Sequence, residues 1–463
     1  MKKATLFCLL ALVVLIAVPA YAEVQNVKVS GDLSARWLLR WNYDLAPNKG
    51  VGSGYDFLMS TAEVQVDADL TDNVSTVVRL ANQRDWGEPI SQKIGTATDT
   101  YDVIVDLANV TFKEMVYSPL TVTIGRQDLW FGKGFIIGAK QRDPLASISA
   151  NEYTVINSFD AIKATLDFDP WKIDGVYSLL EENTTNRNDH VWLLGTNIGY
   201  KFDSYNGEAE AYYWKKHDNS GVAYTGSSAI VADRTNWIDT YGIRGSFEPI
   251  ANATLAAEGA MQFGRYSTAS DISRSRHAGA LDLSGDYAFK DMKWTPKLGL
   301  EYILYSGEAS PSSSSEGTYH GWDMMYRGKF DSAIREFQNL YYATAQRQTG
   351  YEGITNAQDS GATNEMQFII KANIKPTNNI GIDGRFIWFR NDKSQAAEAP
   401  DGGTLYNGRN KDLGQELDLT LNYTYTEDVS FGLLGAWFFP GKYWVSDFDQ
   451  VATDVVGTVK VAF

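Results

Sequence analysis

From Val27 to Trp41 the chain alternates with period two. Val27, Val29, Gly31, Leu33, Ala35, Trp37, Leu39 and Trp41 share one parity, and Lys28, Ser30, Asp32, Ser34, Arg36, Arg40 and Asn42 hold the other, with Leu38 the single break. Successive side chains of a strand point to opposite faces, so such a segment presents one face to hydrocarbon and one to water. The last residues repeat the device, with Val455, Gly457, Val459, Val461 and Phe463 set against Asp454, Thr458 and Lys460. Both ends therefore read as strands of one sheet. A sheet that crosses a bilayer must close, because lipid offers no partner for backbone N–H and C=O groups. The expected fold is all-β, a transmembrane antiparallel β-barrel.

The connections give the strand count. Short turns are expected near residues 71–73, 117–119, 169–170, 203–206, 248–249, 290–291, 376–379 and 426–428, built from Asp, Asn, Pro and Ser. Longer polar connections are expected near 43–56, 84–101, 130–153, 181–190, 216–236, 266–277, 306–364, 391–411 and 441–450. Short and long connections in turn predict about 18 strands, with 16 the alternative count because segments such as 101–115 alternate poorly. The short turns would face the periplasm and the long loops the exterior. A soluble sandwich is disfavoured, since its turns are short at both ends.

The first residues, Met-Lys-Lys, an apolar run from Leu6 to Val18, and Ala20-Tyr21-Ala22, form a secretory leader. Residues 1–22 are expected to be a signal peptide cleaved before Glu23, and 23–463 the barrel domain. Cys8, the one cysteine, lies in the leader, so the mature chain would be thiol-free. The formal net charge is −16, and loss of Lys2 and Lys3 makes it two units more negative. Nucleic acid is thereby excluded as a partner. Aromatic residues make up 13 %, as girdles at two membrane interfaces require. The expected partners are outer-membrane lipid and lipopolysaccharide, the barrel-assembly machinery through a terminal-strand signal at Phe463, and a small solute or anionic saccharide. The expected location is the outer membrane.

A barrel of this size has a lumen wide enough for water. On the inward parity, cations recur at Lys28, Arg36 and Arg40 on the first strand, Arg79 on the third, Lys163 on the sixth, Arg244 on the tenth, Arg385 on the fifteenth and Lys460 on the last. Arg126 joins them if Gly125 bulges its strand. Carboxylates recur as well, among them Glu416 and Asp418. In the plain reading these groups brace a solvated wall; in the sharper one, guanidinium forks at successive heights pass an anion along without holding it.

Catalytic signals are weak. His190, His217, His277 and His320 fall in or beside the expected external loops without metal-ligand spacing. A barrel enzyme with a rim active site, and a closed structural or adhesive barrel, are the alternatives to a channel. Asp447, Asp449 and Asp454 are weak Ca²⁺ candidates that read better as an acidic loop, and no cofactor is implied. In the longest loop, Ile334, Phe337 and Tyr341 recur at helical spacing, so its second half either forms a short helix over or inside the pore or stays an exposed loop.

At Ile124-Gly125-Arg126-Gln127, at Ser158-Phe159-Asp160-Ala161-Ile162-Lys163-Ala164 and at Asp412-Leu413-Gly414-Gln415-Glu416-Leu417-Asp418-Leu419, the chain resembles the alginate-export outer-membrane porin family. That resemblance implies an 18-stranded barrel whose arginine-rich lumen passes an anionic uronate polymer, and it casts Arg126 and Lys163 as substrate-path residues. The chain departs from the family pattern in Ala161, where glycine stands, and in Lys163, where arginine stands. Passage of anionic saccharides or small hydrophilic solutes is the function expected.

Overall fold

The computed structural model describes residues 26–43, 45, 54–87, 103–140, 147–182, 190–219, 224–225, 229–230, 236–267, 273–309, 317–337, 363–394, 410–444 and 449–463. Eighteen long strands make the wall: Asn26–Trp41, Gly54–Thr71, Val74–Asp85, Ile104–Lys113, Leu120–Gln127, Phe159–Asp167, Trp171–Glu181, Val191–Phe202, Gly207–Asp218, Asn236–Ile250, Ala253–Ser267, Ser273–Ala288, Lys297–Tyr305, Glu365–Thr377, Ile380–Arg390, Asp412–Thr424, Val429–Pro440 and Ala452–Ala462. Each pairs antiparallel with its sequence neighbour, and the first also pairs with the last, Asp32 lying opposite Ala462 and Trp41 opposite Thr453. The seam is sealed to the end of the chain: the Gly31 amide donates to the Phe463 carbonyl at 2.8 Å, and the Phe463 amide donates back at 3.0 Å. Closure removes every edge, which a sheet in lipid requires.

The eight short connections fall where turn residues cluster. Tyr205 (φ 58°) and Asn206 (φ 45°) are both left-handed, the pairing of a two-residue hairpin turn whose twist suits the flanking strands. One expected turn moves. The strand Asn236–Ile250 runs through Glu248-Pro249, with a register shift between Phe247 and Ile250, and the chain reverses at Ala251-Asn252. Proline has no N–H for the ladder, so it is accommodated in a bulge and left-handed Asn252 (φ 68°) makes the turn. The connection expected over 266–277 is also shorter, because the strands extend to Ser267 and resume at Ser273, placing His277 in the wall.

Outward and inward faces follow the predicted parity. Val27, Val29, Leu33 and Trp37 are each about half exposed, as are Leu298, Leu300, Leu419 and Leu433 elsewhere around the barrel. The densest packing lies inside the ring. Leu129, Phe135, Ile136 and Ile137 of the connection 128–158, and Trp322, Met325, Tyr326 and Ile334 of 306–364, are buried against inward wall residues such as Leu193, Trp214, Ile303, Ile387 and Phe438. Leu38, the parity break of the first strand, is fully buried beside Ile148 and Ala150 of the inserted connection. Two connections therefore fold into the lumen. Three of the four strands that flank them are short, eight residues in Leu120–Gln127 and nine in both Phe159–Asp167 and Lys297–Tyr305, because the chain leaves the wall early.

Candidate functional site

The two inserted segments meet across the lumen. The Gly138 and Ala139 amides donate to the Tyr326 carbonyl at 2.7 and 3.0 Å, Tyr326 donates to Ile136 at 3.0 Å, and Gly328 donates to Gly134 at 2.8 Å. The crossing needs glycine: a Cβ on Gly138 would lie 2.8 Å from the Gly328 nitrogen. Both halves of this internal body are thus tied by backbone bonds as well as by apolar contact.

Charge explains where the body docks. Register puts Lys371 directly opposite Arg385, and Glu258 directly opposite Asp282, like charges that repel across a ladder. The inserted segments supply the missing partners. Asp331 meets Lys371 at 3.0 Å, and its backbone carbonyl accepts from Arg385 at 2.9 Å. Lys329 lies 3.1 Å from Asp282, 2.7 Å from Glu301 and 2.6 Å from Asp331. Lys133 donates to Ser284 at 2.6 Å and stands 3.9 Å from Asp282. Wall Glu301 and Tyr212 meet part of this charge at Lys371 and Glu258, and the body supplies the further counter-charges.

A second latch is a carboxylate on a helix start. The Glu416 side chain accepts from the amides of Ala333, Ile334 and Arg335 at 2.8 to 2.9 Å and from the Ser332 hydroxyl at 3.0 Å, while Asp418 accepts from the Ala333 amide at 3.1 Å. Helical backbone begins at Arg335. The first amides of a helix have no partner within it, and an anion there satisfies them. Ile334 and Phe337 of the expected helical spacing are buried, and Tyr341 lies outside the described residues. Glu336 closes the loop on itself, accepting from the Asp331 and Ser332 amides at 2.6 and 2.9 Å and pairing with Arg327 at 2.8 Å.

Lys329 and Asp331 both hold their charges over a wide range. Burial works against the Asp331 carboxylate, but Lys329, Lys371 and Arg385 outweigh it and its pKa is lowered. Burial likewise opposes the Lys329 ammonium, which Asp331, Asp282 and Glu301 raise well above the ordinary lysine range. A lowered acid contributes stability that is present above its unfolded pKa and is lost only as pH falls through the folded one. A raised lysine contributes stability that is lost only as pH rises through its folded value. The Lys329–Asp331 ion pair is therefore expected to keep both its charges from roughly pH 4 to pH 10.

The Alginate export family matches residues 29–457. The chain belongs to the Alginate export family. No curated protein sequence matches it. Among solved structures it is similar to Acinetobacter baumannii OccAB1 (TM-score 0.56, 12 % identity, covering 96 % of this chain and 99 % of that one) and to the outer membrane protein OpdK of Pseudomonas aeruginosa (TM-score 0.53, 11 % identity, covering 95 % and 99 %). It is similar also to P. aeruginosa OccK2 (OpdF) in complex with glucuronate (TM-score 0.52, 10 % identity, covering 95 % and 98 %). At these identities the likeness is one of fold. Family membership and a closed eighteen-stranded barrel place the chain among outer-membrane channels.

The inward cations of this family member occupy different settings. Arg40 is buried between Glu152 and Asp454 (3.4 Å from the latter), with its guanidinium over the Tyr43 ring at 5.0 Å. Arg79 joins Asp106 at 2.5 Å and Asp128 at 3.4 Å, and Lys163 joins Asp174 at 3.6 Å. Arg244 is held by Glu208 at 2.7 Å and Glu210 at 2.6 Å, tightly enough against the inserted chain that a Cβ on Gly132 would fall 2.7 Å from its Nε. Arg385 is the most open of these, with 43 % of its side chain exposed. Arg36 differs: it donates to Ser34 Oγ at 3.1 Å and lies 4.9 Å from the Tyr153 ring centroid, with no carboxylate in ion-pair range among the described residues.

Three expectations need correction. Arg126 does not line the lumen, because no register shift occurs at Gly125; it shares the outward parity of Ile124 and pairs with Asp160 at 3.3 Å. The left-handed Gly125 (φ 119°) passes close to the Ala108 carbonyl without adding a residue to its strand. Glu416 and Asp418 do not face the passage but lie beneath the internal body, 0 % and 6 % exposed. Of the Ca²⁺ candidates, Asp454 is engaged by Arg40 and accepts from the Tyr43 hydroxyl at 2.9 Å, Asp449 accepts from the Gln450 side chain, and Asp447 lies outside the described residues, as does the leader. The histidines gather no metal-binding group among the described residues.

Proposed function

We propose that this barrel is a passive diffusion channel for small anionic solutes, with sugar acids as the preferred class. Arg36 carries the reading. Its guanidinium lies over an aromatic ring, outside ion-pair range of the Glu63 and Glu152 carboxylates that act on its charge, whereas Arg40, Arg79 and Arg244 are each paired directly. A cation held in no direct ion pair attracts an anion weakly and repeatedly, which is what conduction needs. Arg385, half exposed four strands away around the ring and sharing Asp331 with two lysines, would be a second weak site. The glucuronate-bound OccK2 is similar in fold to this chain, which is consistent with the same solute class. Long uronate polymers fit less well, since the internal body crosses the lumen.

Reversal potentials in a salt gradient test the reading. Arg36→Ala is expected to lower the anion-to-cation permeability ratio roughly 5-fold, about 1 kcal/mol in passage energetics. An unchanged ratio, or cation preference in the wild type, would contradict it. The backbone bonds that join the two inserted segments favour a second reading, a barrel closed at rest. Silence of the wild type together with steps after release of the latch would establish that reading instead.

A further inference from the structure

The histidines that the channel does not use converge on one sector of the lipid-facing wall. Across the strands Val191–Phe202, Gly207–Asp218, Asn236–Ile250 and Ala253–Ser267, register aligns Trp192, His217, Trp237 and Arg265 in one outward row. One row closer to the membrane centre, Lys215 lies opposite Asp239, Asp239 opposite Phe263, and Phe263 opposite His277. The Lys215 ammonium sits 5.1 Å from the Trp237 ring centroid, and the rings of Trp192 and His217 stack at 5.0 Å, as do those of Phe263 and His277 at 4.9 Å. His320 comes over the rim onto the His277 carbonyl at 2.9 Å. The sector's one carboxylate in these rows, Asp239, is shared between Lys215 at 3.5 Å and the Tyr213 hydroxyl at 2.7 Å.

The height of this cluster identifies its environment. Trp192 and exposed Phe202 lie on the same face of one strand, ten residues apart, which at the usual rise and tilt spans about 25 Å, the depth of an outer-membrane hydrocarbon band. Phe202 adjoins a periplasmic turn, so Trp192, Trp237 and the cations stand at the headgroup level of the outer leaflet. Across the barrel, the outward parities of Asn26–Trp41, Val429–Pro440 and Ala452–Ala462 carry no charged residue. In a chain of net charge −16, a patch of Lys215, Arg265 and three imidazoles, at the depth of lipid headgroups and beside indole rings, is complementary to a multiply anionic, ring-bearing headgroup.

We infer that this sector is a binding site for the phosphorylated saccharide headgroup of an outer-leaflet glycolipid, with Lys215 and Arg265 as its phosphate contacts and Trp237 against a sugar ring. The inference is independent of what the lumen conducts. Native mass spectrometry of the folded mature chain in detergent, with bis-phosphorylated lipid A as the probe, tests it. Retention of lipid A is expected, with about tenfold weaker retention of dephosphorylated lipid A and of phosphatidylglycerol, and a similar loss in Lys215→Ala/Arg265→Ala. Lys293→Ala, at the opposite end of the barrel, should retain the wild-type affinity. Equal retention of dephosphorylated lipid A, equal retention of phosphatidylglycerol, or full retention by the double variant would each overturn the site. The wild-type comparison among lipids decides the matter even if the double variant fails to fold.

Discussion

Glu416→Ala is expected to raise single-channel conductance and to turn a steady current into one that flickers between levels. The carboxylate accepts from three amides and a hydroxyl, and alanine leaves all four donors without their partner beneath the internal body. Removing one side of a buried charged contact costs about 3–5 kcal/mol, enough to lower the docked population by a factor of roughly 10² to 5 × 10³. Glu416→Gln keeps the shape and part of the acceptor strength, so it should fall between the two. The wall strands pair independently of this contact, and the variant should migrate as a folded barrel. A conductance equal to that of the wild type in Glu416→Ala would show that the body is held elsewhere.

Lys329→Met is expected to release the same body by a different route. The ammonium serves Asp282, Glu301 and Asp331 together. Glu301 and Asp331 keep Lys371, but Asp282 is left with Lys133 at 3.9 Å while facing Glu258 across the ladder. A stranded buried carboxylate again costs about 3–5 kcal/mol. Hydrogen exchange reads the result locally: the amides of Tyr326, Gly328 and Lys329, which bond to Ile136 and Gly134, should lose protection by about 10² or more, while wall amides keep theirs. Lys329→Arg should restore most of the protection. Unchanged exchange at these three amides in the methionine variant would contradict the charge-matching account.

Strand number and facing were legible because the side-chain period of a strand is two and hydrocarbon tolerates few polar groups on its side. The first strand shows both how far this extends and where it ends. Its outward residues were all assigned, and its single anomaly, Leu38, was in fact the imprint of a connection folded against it. The same imprint recurs where alternation fails toward the external ends of strands, as in Phe386-Ile387-Trp388-Phe389, with Ile387 and Phe389 buried inward. Apolar residues on the water-facing parity were the available signal for an internal body. The parity rule says that a side chain points inward but not whether it meets water or inserted chain, so Glu416 and Asp418 read as passage residues although they are latches. Ser332 and the amides that select Glu416 belong to a connection 80 residues distant, and local patterning does not report a contact at that separation. Arg126 failed for a smaller reason: glycine allows either a bulge or a close approach, and here the strand takes the latter.

Membership of the Alginate export family and the barrel fold define a channel, and the charges on its wall define what blocks it. Both rest on the alternation of faces. Because Cys8 is the chain's one cysteine, single cysteines placed in the barrel of a Cys8→Ala chain are unique labels. Leu33→Cys and Ser34→Cys, reconstituted separately into liposomes and treated with a charged, membrane-impermeant thiol reagent, measure the alternation directly. The account predicts that Ser34→Cys reacts from the lumen and that Leu33→Cys, one residue away, stays unmodified until the bilayer is dissolved. Equal labelling of the two positions in intact liposomes would contradict it.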